Sequence, residues 1–245
     1  MRVLLPIPDR DFDVTEVAVP WRLLTQAGHE VVFATERPGT RAQADPRLLT
    51  GAILGAAPEP RAYYAQLCES AGFQATRGWA ELDVEQFDGL LLPGGHGPGM
   101  RQYLGSEPLH EQVARFWSLN RPVGAICHGV LVAARAQNPA TGRSLLADRT
   151  TTCLPKYMER TAYFATAWRM GRHYRTYPAY VEDEVRAALV HPDTQFRRGP
   201  VELLRRGSAT DDRAAFTVTD GNYVSARWPG DAYLFARRFL SLLAG

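Results

Sequence analysis

Residues 121–135 read RPVGAICHGVLVAAR. The run 122–126 (PVGAI) is apolar and short, as a buried strand is, and 130–135 (VLVAAR) has the composition of a helix. Cys127, His128 and Gly129 stand at the junction. A nucleophile on a tight strand-to-helix turn is pushed out of the backbone, and the crowded turn admits only small residues around it, as in a nucleophile elbow. The helix that follows presents its N-terminal N–H groups to the thiol, which is expected to lower the thiol pKa. The alternative is a small buried core residue, the commoner fate of a lone Cys in an apolar run.

Outward from the elbow, strands and helices alternate. Residues 2–7 and 30–35 (EVVFAT) read as strands, with a helix over 13–26 between them that Gly28 stops. Asp13 or Thr15 caps that helix, and Pro20 is expected to kink or break it. Strand, helix and strand in so short a span form a βαβ unit and imply a parallel sheet. Residues 87–92 (FDGLLL) form a third strand running into 93–99 (PGGHGPG), and 108–120 form an amphipathic helix capped by Ser106 with Pro108 in its first turn. With 122–126 as the fourth strand, the pattern is a doubly wound, mostly parallel α/β sheet with helices on both faces. Such folds bind ligands beyond the carboxyl ends of their strands, and Glu16, Gly95 and Cys127 all lie just past strand ends.

The rest reads less regularly. Residues 36–57 form an irregular excursion and 58–72 a helix, with 36–80 as an insertion. Residues 150–154 are a possible strand, and 159–170 and 181–190 read as helices within a small cap over 160–200. A hairpin at 216–227 turns on Asp220-Gly221, and 229–243 is a closing helix. No linker or repeat divides the chain, so 1–245 is read as one domain.

Composition narrows the function classes. The chain is 45% hydrophobic and 22% charged with a formal charge of +2, which supports a sizeable core and gives no case for a nucleic-acid partner. Three cysteines, Cys68, Cys127 and Cys153, do not make a disulfide framework and suit a reducing compartment. No apolar run approaches a membrane span, and the first residues do not read as a signal peptide, so a cytoplasmic protein acting on a small-molecule substrate is expected.

Several side chains could carry chemistry. Gly94, Gly95, His96 and Gly97 follow a strand and let backbone approach a ligand; a free N–H there, with that of His128, would make an oxyanion hole. The same glycines also suit a plain tight turn, and their spacing is not a dinucleotide fingerprint. Glu16 is either a site carboxylate or a solvated helix-start acid. His128 is a candidate base for the thiol if the elbow lets neighbours face each other. Spacing alone does not choose Glu159 over Glu182, Asp183 or Glu184 as its orienting acid. Cys127, His128 and Glu159, with Cys153, are zinc-type ligands, but the elbow already accounts for the first two, and no metal set is assigned.

FDGLLLPGGHG, AICHG, and Glu16 four residues before Pro20 together resemble the ThiJ/PfpI superfamily, which has the class I glutamine amidotransferase-like, flavodoxin-like fold. The resemblance covers residues 2 to about 155 and the segment NYVSARWPGDA. It implies Cys127 as nucleophile, Glu16 as a protonated carboxyl hydrogen-bonded to the thiol, and an oxyanion hole from the Gly95 and His128 amides, with Gly94 and Gly129 in the binding loops; His96 is a departure, either a second pocket base or merely a loop residue. The Cys-His pair resembles the branch of the heat-shock-31 chaperone and glyoxalase III, where an acid downstream of the thiol completes a triad; TCLPKYME is similar to that segment and points to Glu159. The activity implied is a cofactor-free enzyme acting on a small reactive carbonyl, of glyoxalase III or deglycase type, in a homodimer. A cysteine peptidase or amidase, or a redox-responsive stress chaperone without turnover, are the alternatives. Neither His173 nor His191 has Glu two places on, which disfavours glutamine hydrolysis. The segment after Arg160 departs from the branch; Tyr163, Phe164, Trp168, Tyr174 and Tyr177 with Arg169, Arg172 and Arg175 either line a pocket or belong to a cap packed on the core.

Overall fold

The computed structural model describes residues 1–50, 55–171 and 177–245. Its main sheet has seven strands: β1 (Arg2–Pro6), β2 (Glu30–Thr35), β3 (Arg77–Gly78), β4 (Gly89–Leu92), β5 (Val123–Ile126), β6 (Thr217–Asp220) and β7 (Tyr223–Ala226). They lie in the order β3-β2-β1-β4-β5-β7-β6. Every pairing is parallel except β6 with β7. Chain direction across the sheet reverses between β1 and β4, the switch point at which doubly wound folds place their ligands. The main helices are α1 (Val14–Gln26), α2 (Pro58–Glu69), α3 (Glu107–Ser118), α4 (Val130–Arg135), α5 (Lys156–Met170), α6 (Val181–Ala187) and α7 (Ala232–Ala244). Helix α1 packs against α2 and α7, while α4 packs against α3 and α6. The expected doubly wound, flavodoxin-like architecture is the one observed. All four residues of β4 and of β5 are buried, as strands covered on both faces must be.

Local chemistry explains most element ends. The Asp13 side chain accepts from the amides of Thr15 and Glu16 at 2.8 and 3.1 Å, so Asp13 is the cap of α1. Pro20 sits inside α1, but the expected break does not occur: the helix runs on to Gln26 with Pro20 buried. Ser106 caps α3 through the Leu109 amide at 3.3 Å. The expected hairpin forms as β6–β7, but its turn lies one residue further on: Asp220 pairs with Tyr223 and Gly221-Asn222 stand between the strands, with Gly221 at φ +58°.

Two features were not legible. Residues Arg10–Phe12 pair with Gln43–Ala44 in a small parallel sheet, where a plain loop was expected. Strand β3 lies near the end of the expected insertion, 36–80, where no strand was expected. Both are two or three residues long, too short to show a period. Residues 150–154 are not a strand: Thr151 makes one isolated bridge with Phe196, and Thr152 is held by the Ser225 hydroxyl at 3.0 Å. The cap forms as α5, α6 and a turn of helix at Pro192–Gln195. Phe164 and Trp168 face solvent, 64% and 78% exposed, so they do not line the site. Tyr163 packs its ring on Phe164, while Tyr177 donates to the Arg101 carbonyl and lies under Arg135 at 4.3 Å. Tyr174, Arg172, Arg175 and His173 lie outside the described residues.

Candidate active site

The site is built where three strand ends meet. After β5 the chain enters a 3-10 turn, Cys127–Gly129, which leads directly into α4. Cys127 has φ +58°, a left-handed conformation that costs an ordinary side chain energy and recurs at functional turns. The elbow expected from sequence is therefore present in the backbone. Gly129 is required by contact: a Cβ there would stand 2.1 Å from the Leu92 carbonyl oxygen. Gly94 is required in the same way. A Cβ on it would meet the His128 amide at 2.7 Å, the Glu16 carboxyl at 2.9 Å and the Cys127 Cβ at 3.0 Å. The loop after β4 thus lies directly on Cys127, His128 and Glu16.

Glu16 is buried in the first turn of α1, and its Oε2 accepts from the Gly94 amide at 2.8 Å. The Gly94 carbonyl in turn accepts from the Asp13 amide at 2.8 Å, so the ends of β1 and β4 are tied together. Glu16 is therefore part of the site and not a solvated helix-start acid. Burial, and then the neighbouring Asp13 carboxylate, hold its pKa well above the usual range.

The Cys127 thiol is buried and 3.5 Å from His128 Nδ1. Adjacent residues face each other here because the left-handed turn folds the two side chains to one side. The expectation of a lowered thiol pKa is corrected by burial. Desolvation pushes the thiol up first, then the acids Glu16 and Asp13; the His128 amide pulls the other way and is outweighed. His128 is held neutral, its pKa driven well below the usual value by burial first, then by His96 and Arg135. The resting pair is a neutral thiol beside a neutral imidazole.

His96 completes the cluster. Its ring meets that of His128 edge-on, centroids 4.6 Å apart, and burial lowers its pKa to about 4. His96 thus lies beside Cys127 and His128. Among the described residues, His96, Cys127 and His128 form the grouping with metal-ligand chemistry, their ligand atoms all within 4.8 Å of one another. Glu159 and Cys153, the other ligands that the sequence put forward, are not in that grouping. The part of Asp13 in the electrostatics could not be read from spacing, because it depends on loops brought together from different strands.

The four acids weighed from the sequence have distinct partners. Glu159 is buried, and its Oε2 accepts from the Val181 amide at the start of α6 at 3.0 Å. Glu182 accepts from the Lys156 amide at 2.9 Å and pairs with Arg198. Asp183 pairs with Lys156 at 2.6 Å and Glu184 with Arg135 at 2.6 Å. The charges that bear on His128 are those of His96 and Arg135. Glu159 also acts on Cys153, whose thiol it helps to hold protonated after burial and Glu182.

Comparison with known proteins agrees with this architecture. An uncharacterized protein of Schizosaccharomyces pombe is 29% identical over 224 residues, covering 83% of this chain and 81% of its own. A deglycase of Pyrococcus abyssi is 25% identical over 245 residues, 99% of each chain. The crystal structure of glyoxalase III from Candida albicans is similar in fold, with a TM-score of 0.72 at 18% identity over 99% of this chain and 97% of that one. No helix among the described residues is long and apolar enough to cross a membrane. The model of the ThiJ/PfpI family-like proteins matches residues 7–200, most of the chain and all of the elbow, and the protein belongs to that family.

Proposed function

We propose that the protein is a cofactor-free, cysteine-dependent enzyme that converts a 2-oxoaldehyde to the corresponding 2-hydroxy acid, the glyoxalase III type of reaction. The observation that carries this reading is the Cys127 thiol on a left-handed elbow with His128 Nδ1 at 3.5 Å. Relatives named deglycase and glyoxalase III lend it support.

In this reading the thiol sulfur adds to the aldehyde carbon while its proton passes to His128 Nδ1. A neutral imidazole suits that role, since it holds an open lone pair. The oxyanion so formed is received by the amides of Gly95 and His128 and then takes its proton from His128, which returns to the neutral form. Neutral His128 then takes the proton from the former aldehyde carbon, which leaves an enediolate. Returning that proton to the neighbouring carbon, as the hydroxyl proton of the former aldehyde carbon shifts to the neighbouring oxygen, gives a thioester on Cys127, and water releases the 2-hydroxy acid and restores the thiol. The sequence is internally redox-balanced: one carbon is oxidised and its neighbour reduced. Glu16, kept protonated by burial, donates toward the sulfur whenever it carries charge. His96 closes the far side of His128. Glu159 completes the proposed set as a positioning residue, fixing α5 against α6.

The test is lactate formation from methylglyoxal. Wild type is expected to turn over, Cys127→Ala to lose activity to background, and His128→Ala to lose at least about a hundredfold, the usual range for a general base. Equal rates in wild type and Cys127→Ala would sink the reading. Glu159→Gln is expected to raise KM more than it lowers kcat, as befits a residue that acts through position.

A further inference from the structure

Over the site, between the cap and the closing strand, lies a cavity of about 370 Å³. Leu48, Leu154, Met158, Leu203, Leu204 and Trp228 line it, and Ala162 of α5 faces into it. Its polar groups are few. Asp13 and Arg206 stand together at its edge, the Arg206 guanidinium lying over the Trp228 ring at 5.5 Å. His96 is the wall that the cavity shares with the nucleophile: it lines the cavity, and its ring nitrogen is within 4.8 Å of the Cys127 sulfur. His96 is also the most exposed of the three clustered side chains, while Cys127 and His128 are closed off. The apolar space therefore ends one imidazole away from the thiol.

A three-carbon aldehyde would leave most of this space unfilled. An apolar cavity does not retain ordered water well, and it favours a ligand that replaces water with carbon. Removing each CH₂ group from water is a gain of about fourfold in affinity. The cap that builds the cavity is also the part of the chain that departs from its resembling branch.

We propose that this cavity is the side-chain pocket of the substrate, and that the preferred substrates are 2-oxoaldehydes bearing an apolar chain several carbons long or an aromatic ring, not methylglyoxal. This rests on the reading of the site as an aldehyde-converting thiol. The carbonyl end would pass His96 to reach Cys127, and the apolar end would stay among Leu154, Met158, Leu203 and Trp228.

The test is a homologous series of 2-oxoaldehydes with methyl, propyl and pentyl chains, whose reacting carbonyls are alike. Across the series kcat/KM is expected to rise by about fourfold per added CH₂. In Ala162→Trp, which fills the cavity, that slope flattens. Leu204→Glu serves as a second variant. Leu204 is 88% exposed, so the fold does not depend on it, and a charge there also reduces the slope. A flat or falling slope in the wild type, with methylglyoxal turned over, overturns the pocket and leaves the aldehyde reading standing. Should no aldehyde be turned over, the aldehyde reading falls and the pocket is judged by binding alone, using Trp228 fluorescence. Binding of 2-hydroxyheptanoate at least about tenfold tighter than lactate, and lost in Ala162→Trp, upholds an apolar-acid pocket. Equal binding of the two acids overturns it.

Discussion

At the scale of single residues, the site depends on contacts that leave no room for a methyl group. Gly94→Ala would drive a Cβ into the His128 amide and the Glu16 carboxyl. Because His128 and Cys127 move together, the expected result is a fall in kcat/KM of at least about a hundredfold, out of proportion to any change in Tm. A parallel activity and melting series on this variant checks it. Titration gives a second expectation. His96 and His128 are both depressed by burial, His96 to about 4, so the fold resists protonating them. The unfolded chain takes up these protons near the ordinary value of about 6.5. Between that pH and about 4 the unfolded state therefore binds more protons than the native state. Stability from these two groups is complete above about 6.5 and is lost as pH falls. Urea midpoints measured from pH 7.5 to 4.5 should decline, and less steeply in His96→Gln.

At the scale of elements, the closing strand and helix are locked by one ion pair with no exposure to water. Arg227 donates to Asp231 at 2.9 Å, and both side chains are fully buried. Asp231 also accepts from the Phe216 and Arg227 amides, and Arg227 reaches the Pro200 carbonyl at 2.6 Å. The pair thus ties the loop before β6 to the start of α7. Removing one partner strands a buried charge, which costs about 3–5 kcal/mol, whereas replacing both by apolar groups is often tolerated. Arg227→Met should lower the urea midpoint sharply, and the double variant Arg227→Met/Asp231→Leu should recover much of the loss. A double variant as unstable as the single one would mean that the carbonyl contacts of Arg227 matter more than its charge.

For the whole molecule, one buried cluster runs from the sheet into the cap. It includes Val3, Leu90 and Phe235, and also Met158, Val181 and Leu189. We therefore expect residues 1–245 to unfold as one domain. Circular dichroism and tryptophan fluorescence should give coincident urea transitions, because Trp79 and Trp228 report from opposite parts of the chain. An early fluorescence transition alone would show that the cap melts as a separate unit.

The sequence by itself determined the sheet and the elbow. Strands of continuous apolar residues, a Pro or Ser at a helix start, and Cys127-His128-Gly129 after 122–126 are local signals, set by the backbone needs of a few neighbouring residues. Asp13 as a cap and the hairpin within 216–227 were legible for the same reason. What only the tertiary structure decided is what surrounds the thiol. Gly94, Glu16 and His96 reach it from the ends of two other strands, and their packing sets burial. Burial in turn reversed the expected direction of the Cys127 shift, since desolvation acts through every neighbour in space while the helix dipole acts through the local chain alone. The same holds for Glu159, Glu182, Asp183 and Glu184: equivalent in sequence, they part company only once α5 and α6 pack and give each its own partner.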